Sequence, residues 1–319
     1  MIEAAWRLQR LIFLVAIAVI VAFATWLAVT GSIQEAAYAI YVNHHCVNSS
    51  GMSQSCVTLG DNYNNTNRFT RWYMGLAVAM PPLLGLVLGA PLVAREIEQG
   101  TNRLAWTQSI TRTRWLLVKL FVGALSCCAL VGAMAPLLEW WTGAVQRGAR
   151  IQPTSFDLSG FVDVAYVLFA FMLGAALGAL IRRTGWALAV GIPVYGLVRL
   201  VVRNDIRPTL ISPSTVNVNP NGAFSTNAWV LHSGFVPIGR SSPAPGKTWQ
   251  SFNVWISDCK RPPPSETKQC ITQRAFHYVV QLQPTSHFWA LQGTETAVFV
   301  GAALVLLGVT VLAVRRWRT

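Results

Sequence analysis

Six stretches of about 18 to 21 residues run through this chain nearly free of charge, and they constrain its fold more than any other feature. They cover residues 11–29, 73–93, 120–138, 164–181, 185–202 and 296–314. A helix rises 1.5 Å per residue, so about 20 residues cross a hydrocarbon core of about 30 Å. Inside that core no water satisfies backbone N–H and C=O groups, which makes each stretch a helix. Five of the stretches hold no charged residue, and the remaining one, 185–202, carries Arg199. The first stretch follows Arg7 and Arg10 but outruns the 7–15 apolar residues of a signal peptide. No small-x-small cleavage site follows it, so it reads as a retained span.

Composition supports the same class. Charged residues make up 12% of the chain and hydrophobic ones 53%, against about 25% charged in soluble domains. The net charge of +13 does not indicate a nucleic-acid partner, because the basic residues flank apolar runs and form no solvated stripe or binding motif. Membrane topology accounts for much of it. With the N-terminus inside, the internal segments hold twelve Lys and Arg but only Glu3, Glu96 and Glu98 as acids; the much longer external segments hold 12 basic and nine acidic residues, with Arg199 inside a span. A basic bias in short loops marks the cytoplasmic side. The expected fold is therefore an all-α polytopic protein of the cell membrane with six transmembrane helices, N-in and C-in. Residues 1–202 form spans 1–5 with short loops, residues 203–295 an extracellular insert, and residues 296–319 span 6 and a basic cytoplasmic tail.

Three segments then lie outside, at about 34–72, 139–163 and 203–295. The first is rich in Asn and Ser, and the second holds Trp140 and Trp141, an expected interfacial pair. The third is rich in Pro, Asn and Ser. Alternating stretches such as Phe276-His277-Tyr278-Val279-Val280 make it partly β. Thr285 or Ser286 is a candidate cap for the helix entering the last span.

Cys46 and Cys56 fall in the first external segment, and Cys259 and Cys270 in the third. Outside the cytoplasm such pairs form disulfides, and Cys46–Cys56 and Cys259–Cys270 are expected. Cys127 and Cys128 lie within the third span. His44-His45-Cys46 is an alternative metal motif, but a disulfide consumes its thiolates, so no metal ligand is assigned. Gly246-Lys247-Thr248 ends like a phosphate-binding loop, yet Ser241 stands where that pattern needs Gly. His232, His277 and His287 lack a Ser or Cys nucleophile partner. No catalytic or cofactor-binding residue is assigned, and the chain is not expected to be an enzyme.

Two intramembrane features remain open between structure and function. Arg199 either snorkels to the interface or faces a substrate path. Pro81, Pro82, Gly85, Gly89 and Pro91 in the second span either serve internal packing or line a dimer interface or pathway; Gly85 and Gly89 form a small-xxx-small pattern.

Between the second and third spans lies a charged amphipathic island, Ala94-Arg95-Glu96-Ile97-Glu98-Gln99-Gly100-Thr101, then Arg103-Leu104-Ala105-Trp106-Thr107-Gln108-Ser109, Thr111-Arg112, Arg114-Trp115 and Lys119. This resembles the membrane subunits of bacterial ABC exporters of the type-2 permease family. There a span ends in an acidic residue and a Gly-Thr turn, and a short helix and a basic entry to the next span follow. The ending Pro284…Phe288-Trp289…Gln292-Gly293…Glu295-Thr296 is similar to that of a subgroup.

The resemblance implies a permease half of an ATP-driven exporter that moves an amphipathic small molecule, peptide or lipid-like compound by alternating access. Its partners would be cytoplasmic ABC ATPase subunits carrying ATP and Mg, a second permease copy or paralogue, membrane lipid and the transported substrate. By position, Arg95, Glu96, Glu98, Gly100, Thr101, Arg103, Leu104, Trp106 and Arg112 would couple to the ATPase. Glu96 and Glu98 would pair with basic groups or cap a helix end, Gly100 would permit the turn, and Leu104 and Trp106 would supply apolar contact. The alternative is a non-transporting membrane sensor that binds ligands through its external insert.

Overall fold

A computed structural model describes residues 2–46, 53–99, 111–147, 150–217, 227–237 and 276–316. Six of its helices are long and apolar enough to cross a membrane: Ile17–Asn43, Met74–Glu98, Thr113–Gln146, Val162–Ile181, Thr184–Leu210 and Thr285–Arg315. They correspond one to one with the six uncharged stretches, and most extend well past them. The chain divides into two compact units. One comprises Met1–Arg147, Thr154–Leu200 and Gln292–Thr319; the other comprises Gly148–Pro153 and Val201–Leu291.

In the first unit, α1 (Ile2–Asn43) has 42 residues, about 63 Å of helix and roughly twice a hydrocarbon core. Part of it therefore extends beyond an apolar layer of that thickness. The Asn-rich segment after it, read from sequence only as an external stretch, folds as α2 (Gln54–Trp72). Cys46 and Cys56 are joined by a disulfide, which ties α2 back to α1. Tyr63 of α2 packs against Tyr38 of α1 at a tilt, with ring centroids 5.7 Å apart, and stacks on Tyr41 at 6.2 Å. Cys259 and Cys270 lie outside the described residues.

The centre of this unit is the pairing of α3 (Met74–Glu98) with α6 (Val162–Ile181), the most extensive helix contact in the chain. α3 remains one helix through Pro81, Pro82 and Pro91. A Cβ on Gly85 would lie 2.7 Å from the Val167 carbonyl oxygen, and one on Gly89 would overlap the Phe171 carbonyl. From the other side, a Cβ on Gly174 would meet Ala90 N and Leu86 O at 2.9 Å, and one on Gly178 would meet Ala90 O at 2.5 Å. Two small-xxx-small patterns thus face each other, and the contacts advance in the same direction along both helices, so α3 and α6 run parallel. Missing side chains let the backbones touch, and dispersion then replaces the hydrophobic drive that lipid cannot supply.

Helix α4 (Arg112–Gln146) is capped at its start by Thr111 Oγ1, which accepts a hydrogen bond from Arg114 N at 3.4 Å. Leu116, Leu120, Ala124, Cys127 and Val131 of α4 bury against Val167, Phe171 and Ala175 of α6. Toward its other end Trp141 is fully buried beside Leu27 and Leu138 and donates to Thr30 Oγ1 at 2.9 Å, whereas Trp140 is 42% exposed. Burial separates the two members of the pair: the indole N–H of Trp141 finds its partner on α1, while Trp140 stays accessible. A short helix, α5 (Pro153–Asp157), precedes α6.

Helix α7 (Thr184–Val201) runs into a π-helix, Val202–Ile206, and then α8 (Arg207–Leu210). Arg207 N reaches back five residues to Val202 O. Pro208 has no N–H to offer the carbonyl four residues earlier and its ring crowds that position, which accounts for the widened turn.

The second unit carries a three-stranded antiparallel sheet: β1 (Ser214–Asn217), β2 (Trp229–Pro237) and β3 (Phe276–Gln283), in the order β1–β3–β2. Ser214 pairs with Leu282 and Trp229 with Gln283, and an irregularity interrupts β2 between Val230 and His232. Ala228, Val280 and Leu282 form its small apolar core. Gln283 is buried and donates to Ile211 O at 2.6 Å, while its Oε1 lies 2.8 Å from His287 Nδ1. A 3-10 turn, Thr285–His287, leads into α9 (Phe288–Arg315). The last helix therefore begins eight residues before the expected 296. The residue preceding the turn, Pro284, makes no side-chain cap bond.

Replacing Gly89 with Ala is expected to destabilise the protein by about 1–3 kcal/mol, because the added methyl meets backbone and not a yielding side chain. Gly301→Ala, where nothing lies within 4 Å, is expected to leave stability unchanged or slightly raised. Thermal unfolding of the two variants in the same detergent checks this.

Candidate functional site

Arg199, near the end of α7, does not snorkel. Only 8% of it is exposed. Its Nη2 lies 2.9 Å from Asp157 Oδ1 and its Nη1 lies 3.1 Å from Glu295 Oε1. The guanidinium sits over the Tyr166 ring at 3.8 Å from its centroid, and 5.6 Å from that of Phe299. Tyr166 in turn donates its hydroxyl proton to Glu295 at 2.7 Å. Asp157 and Glu295 side chains are fully buried. This corrects the snorkelling reading: two carboxylates come to the cation, so the cation need not reach water.

The cluster is assembled from four elements. α5 supplies Asp157, α6 supplies Asp163 and Tyr166, α7 supplies Arg199, and α9 supplies Gln292, Glu295 and Phe299. The spacing i, i+3, i+7 puts those three α9 residues on one face. Gln292 is fully buried and fixes the register: its Nε2 donates to Ser159 O at 2.8 Å and Phe156 O at 3.2 Å, and its Oε1 accepts from Val162 N at 3.0 Å. The amide thereby satisfies an orphan N–H at the start of α6. Gly160, at φ +80°, makes the room, since a Cβ there would lie 2.9 Å from the Gln292 side chain. Asp163 is also buried, and its Oδ2 has no hydrogen-bond partner among the described residues. Asp157, Asp163, Tyr166 and Gln292 were not singled out as site residues from sequence. The usable signal was charge complementarity: acids flanking the starts of spans 4 and 6, and a single base inside span 5.

At the other end of the same unit, the island's acids have intramolecular partners. Glu96 pairs with Lys119 of α4, whose ammonium lies 4.5 Å from the centre of the Trp115 ring. Glu98 accepts from Thr184 N at 2.9 Å and from Thr184 Oγ1 at 3.0 Å, capping the start of α7 with a carboxylate where the helix dipole favours negative charge. Arg315, in the last turn of α9, donates to Thr113 Oγ1 at 3.3 Å. The end of α3, the starts of α4 and α7 and the end of α9 thus meet around the two ends of the island. Arg95 sits half-buried in the last turn of α3. Arg112 opens α4, with only its backbone described. Gly100, Thr101, Arg103, Leu104 and Trp106 lie outside the described residues.

Of the second-span candidates, Gly85 and Gly89 contact α6 directly, and Pro81 and Pro82 are buried. Among the described residues no group of three or more His, Cys, Asp or Glu could hold a metal ion.

Six apolar helices, three of which share a buried ionic cluster, define a multi-pass membrane protein. The model of the family described as ABC-2 membrane transporter related matches residues 17–207, more than half of the chain, and the chain belongs to that family. Its members are membrane components of transporters, which places this protein in the cell membrane as a transport component. No curated protein and no solved structure matches it.

Removing the Arg199 charge strands two buried carboxylates. Arg199→Leu is expected to cost about 3–5 kcal/mol, and combining it with Asp157→Asn and Glu295→Gln is expected to recover at least half of that loss. Thermal unfolding of the single and triple variants in detergent decides. A single variant as stable as the parent contradicts the pairing.

Proposed function

We propose that this chain is the permease subunit of an ATP-driven exporter, working with a second permease copy or paralogue. Cytoplasmic ATPase subunits supply ATP and Mg. The substrate class proposed is an amphipathic small molecule, peptide or lipid-like compound, moved by alternating access. The family supports the transport role. The observation that carries the mechanism is a pair of ties at the base of the island: Glu96 to Lys119, which joins its two ends, and Glu98 to the start of α7.

In this reading Arg95, Arg103, Leu104, Trp106 and Arg112 engage the ATPase, Gly100 and Thr101 form the turn, and Glu96 and Glu98 pass the load on. Closure of the ATPase pair displaces the island. Glu98 hands that displacement to α7, which carries Arg199 at its far end.

Leu104→Asp is expected to lose ATPase capture in a pull-down. Glu98→Gln is expected to keep capture but to lower transport about tenfold, since it weakens only the relay. Full capture by the first variant overturns docking through the island; full transport by the second overturns the relay.

The proposed orientation is N-in and C-in. It is supported by the Cys46–Cys56 disulfide, which requires an oxidising compartment, and by the basic residues that gather where Glu98 meets Thr184. In intact cells a membrane-impermeant maleimide is expected to label Cys46 and Cys56 only after reduction. A cysteine placed at Arg316 should label only after permeabilisation. The opposite pattern inverts the topology.

A further inference from the structure

At the basic end of the membrane unit, a groove of about 380 Å³ opens between the last turns of α6 and α9. Its floor and walls are apolar: Ala179 and Leu180 from α6, and Val309, Leu312 and Ala313 from α9. Arg182 and Arg316 also line it, and among the described residues no acidic side chain does. On α9 the residues 309, 312, 313 and 316 follow the i, i+3, i+4, i+7 spacing of a single helix face. Leu180 is 54% exposed and Leu312 55%, so the groove faces sideways out of the bundle. Ala179, at 0% exposure, closes its base.

We propose that this groove binds one anionic phospholipid, with its phosphate at Arg182 and Arg316 and the upper part of an acyl chain along Leu180, Val309 and Leu312. Three features favour a lipid over other occupants. The groove lies at the ends of two spans, where headgroups of the surrounding bilayer reach it. Its polarity changes along its length from apolar to cationic, matching a molecule that changes the same way from chain to headgroup. Among the described residues that line it, charge is of one sign only.

Basic pockets between transmembrane helices hold anionic headgroups for these reasons. A guanidinium carries five N–H donors, so Arg182 and Arg316 can serve neighbours and a phosphate together. Arg182 is also held in place: it ends α6 in the left-handed conformation, φ 60°, with its N–H bonded to Gly178 O at 3.0 Å. Arginines at helix C-termini offset the helix dipole whether or not a groove is present. That role is shared by exposed neighbours such as Arg183 and does not depend on the apolar walls, which gives the test its control.

The full-length protein in detergent is titrated with phosphatidylglycerol or phosphatidylcholine, and bound lipid is counted by native mass spectrometry. The parent and Arg183→Gln are expected to retain one tightly held phosphatidylglycerol and no equivalent phosphatidylcholine. R182Q/R316Q is expected to bind phosphatidylglycerol roughly thirtyfold more weakly, the loss of two favourable headgroup charges. Leu312→Trp keeps both arginines but fills the groove, and is expected to lose the lipid as well, so a failure of the double variant to fold does not leave the question open. The proposal is overturned by unchanged binding in both groove variants or by equal retention of phosphatidylcholine. It is also overturned if inorganic phosphate displaces the lipid at equal concentration, which marks a simple anion site. A change in protomer number, in place of lipid loss, assigns the groove to a second copy and overturns it too.

Discussion

A guanidinium cannot sit in a bilayer by itself, and the way Arg199 meets that constraint organises one end of the helix bundle. Two carboxylates on two other elements, Asp157 and Glu295, converge on it, and Tyr166 braces both the cation and one of the anions. Each partner is worth retaining only while the others are present, because the desolvation cost of one buried charge is offset by its neighbours alone. The same logic extends to Gln292, whose three hydrogen bonds set the turn at 156–162 and so bring Asp157 and α6 to the place where Glu295 and Arg199 meet. Polar groups that are costly individually thus specify register where apolar packing against lipid cannot.

The opposite end is tied by the same chemistry in a more solvated setting. Glu98 caps α7 at Thr184, and Arg199 lies fifteen residues further along that helix, about 22 Å away at 1.5 Å per residue. α7 is therefore held at both ends by carboxylates borne on other helices. The ties differ in strength: the Glu98 contact is exposed, whereas the Arg199 pairs are buried, so salt and solvent screen the first far more than the second.

Much of this was legible in the sequence because lipid imposes a coarse rule. Stretches of uncharged residues located every span, and an alternating run located β3. The Cys46–Cys56 pair was legible because cysteines read as external have few other fates. The helical path of residues 54–72 was not, since α2 is polar throughout and takes its order from a disulfide and from the Tyr63 contacts with α1. The start of α9 was missed because a charge, Glu295, was taken as the boundary of a span. In fact that charge is inside the helix, neutralised by a base on another. Likewise Gly85 and Gly89 were visible as a packing pattern, but their complement, Gly174 and Gly178, became meaningful only once α3 and α6 were seen side by side. Pairwise complementarity is a property of two segments, and one-dimensional patterns reveal it only when both are read together.

The helices are not equally committed to the core. In the most apolar window of α6, 72% of residues are buried, against 22% for the span containing α7 and 22% for the span containing α9. The interlocked glycines make α3 and α6 a single body, because any shear between them drives carbonyls into Cα positions with no side chain to yield. Rearrangement is therefore easier at α7 and α9, which have fewer buried contacts to lose. Their firmest polar links to the centre are the Arg199 pairs and the Gln292 bonds. A movement of α7 away from Asp157 strands a buried carboxylate unless Asp157 moves too or water enters. The cluster consequently favours two discrete arrangements, paired and dry or opened and hydrated, over a continuum between them.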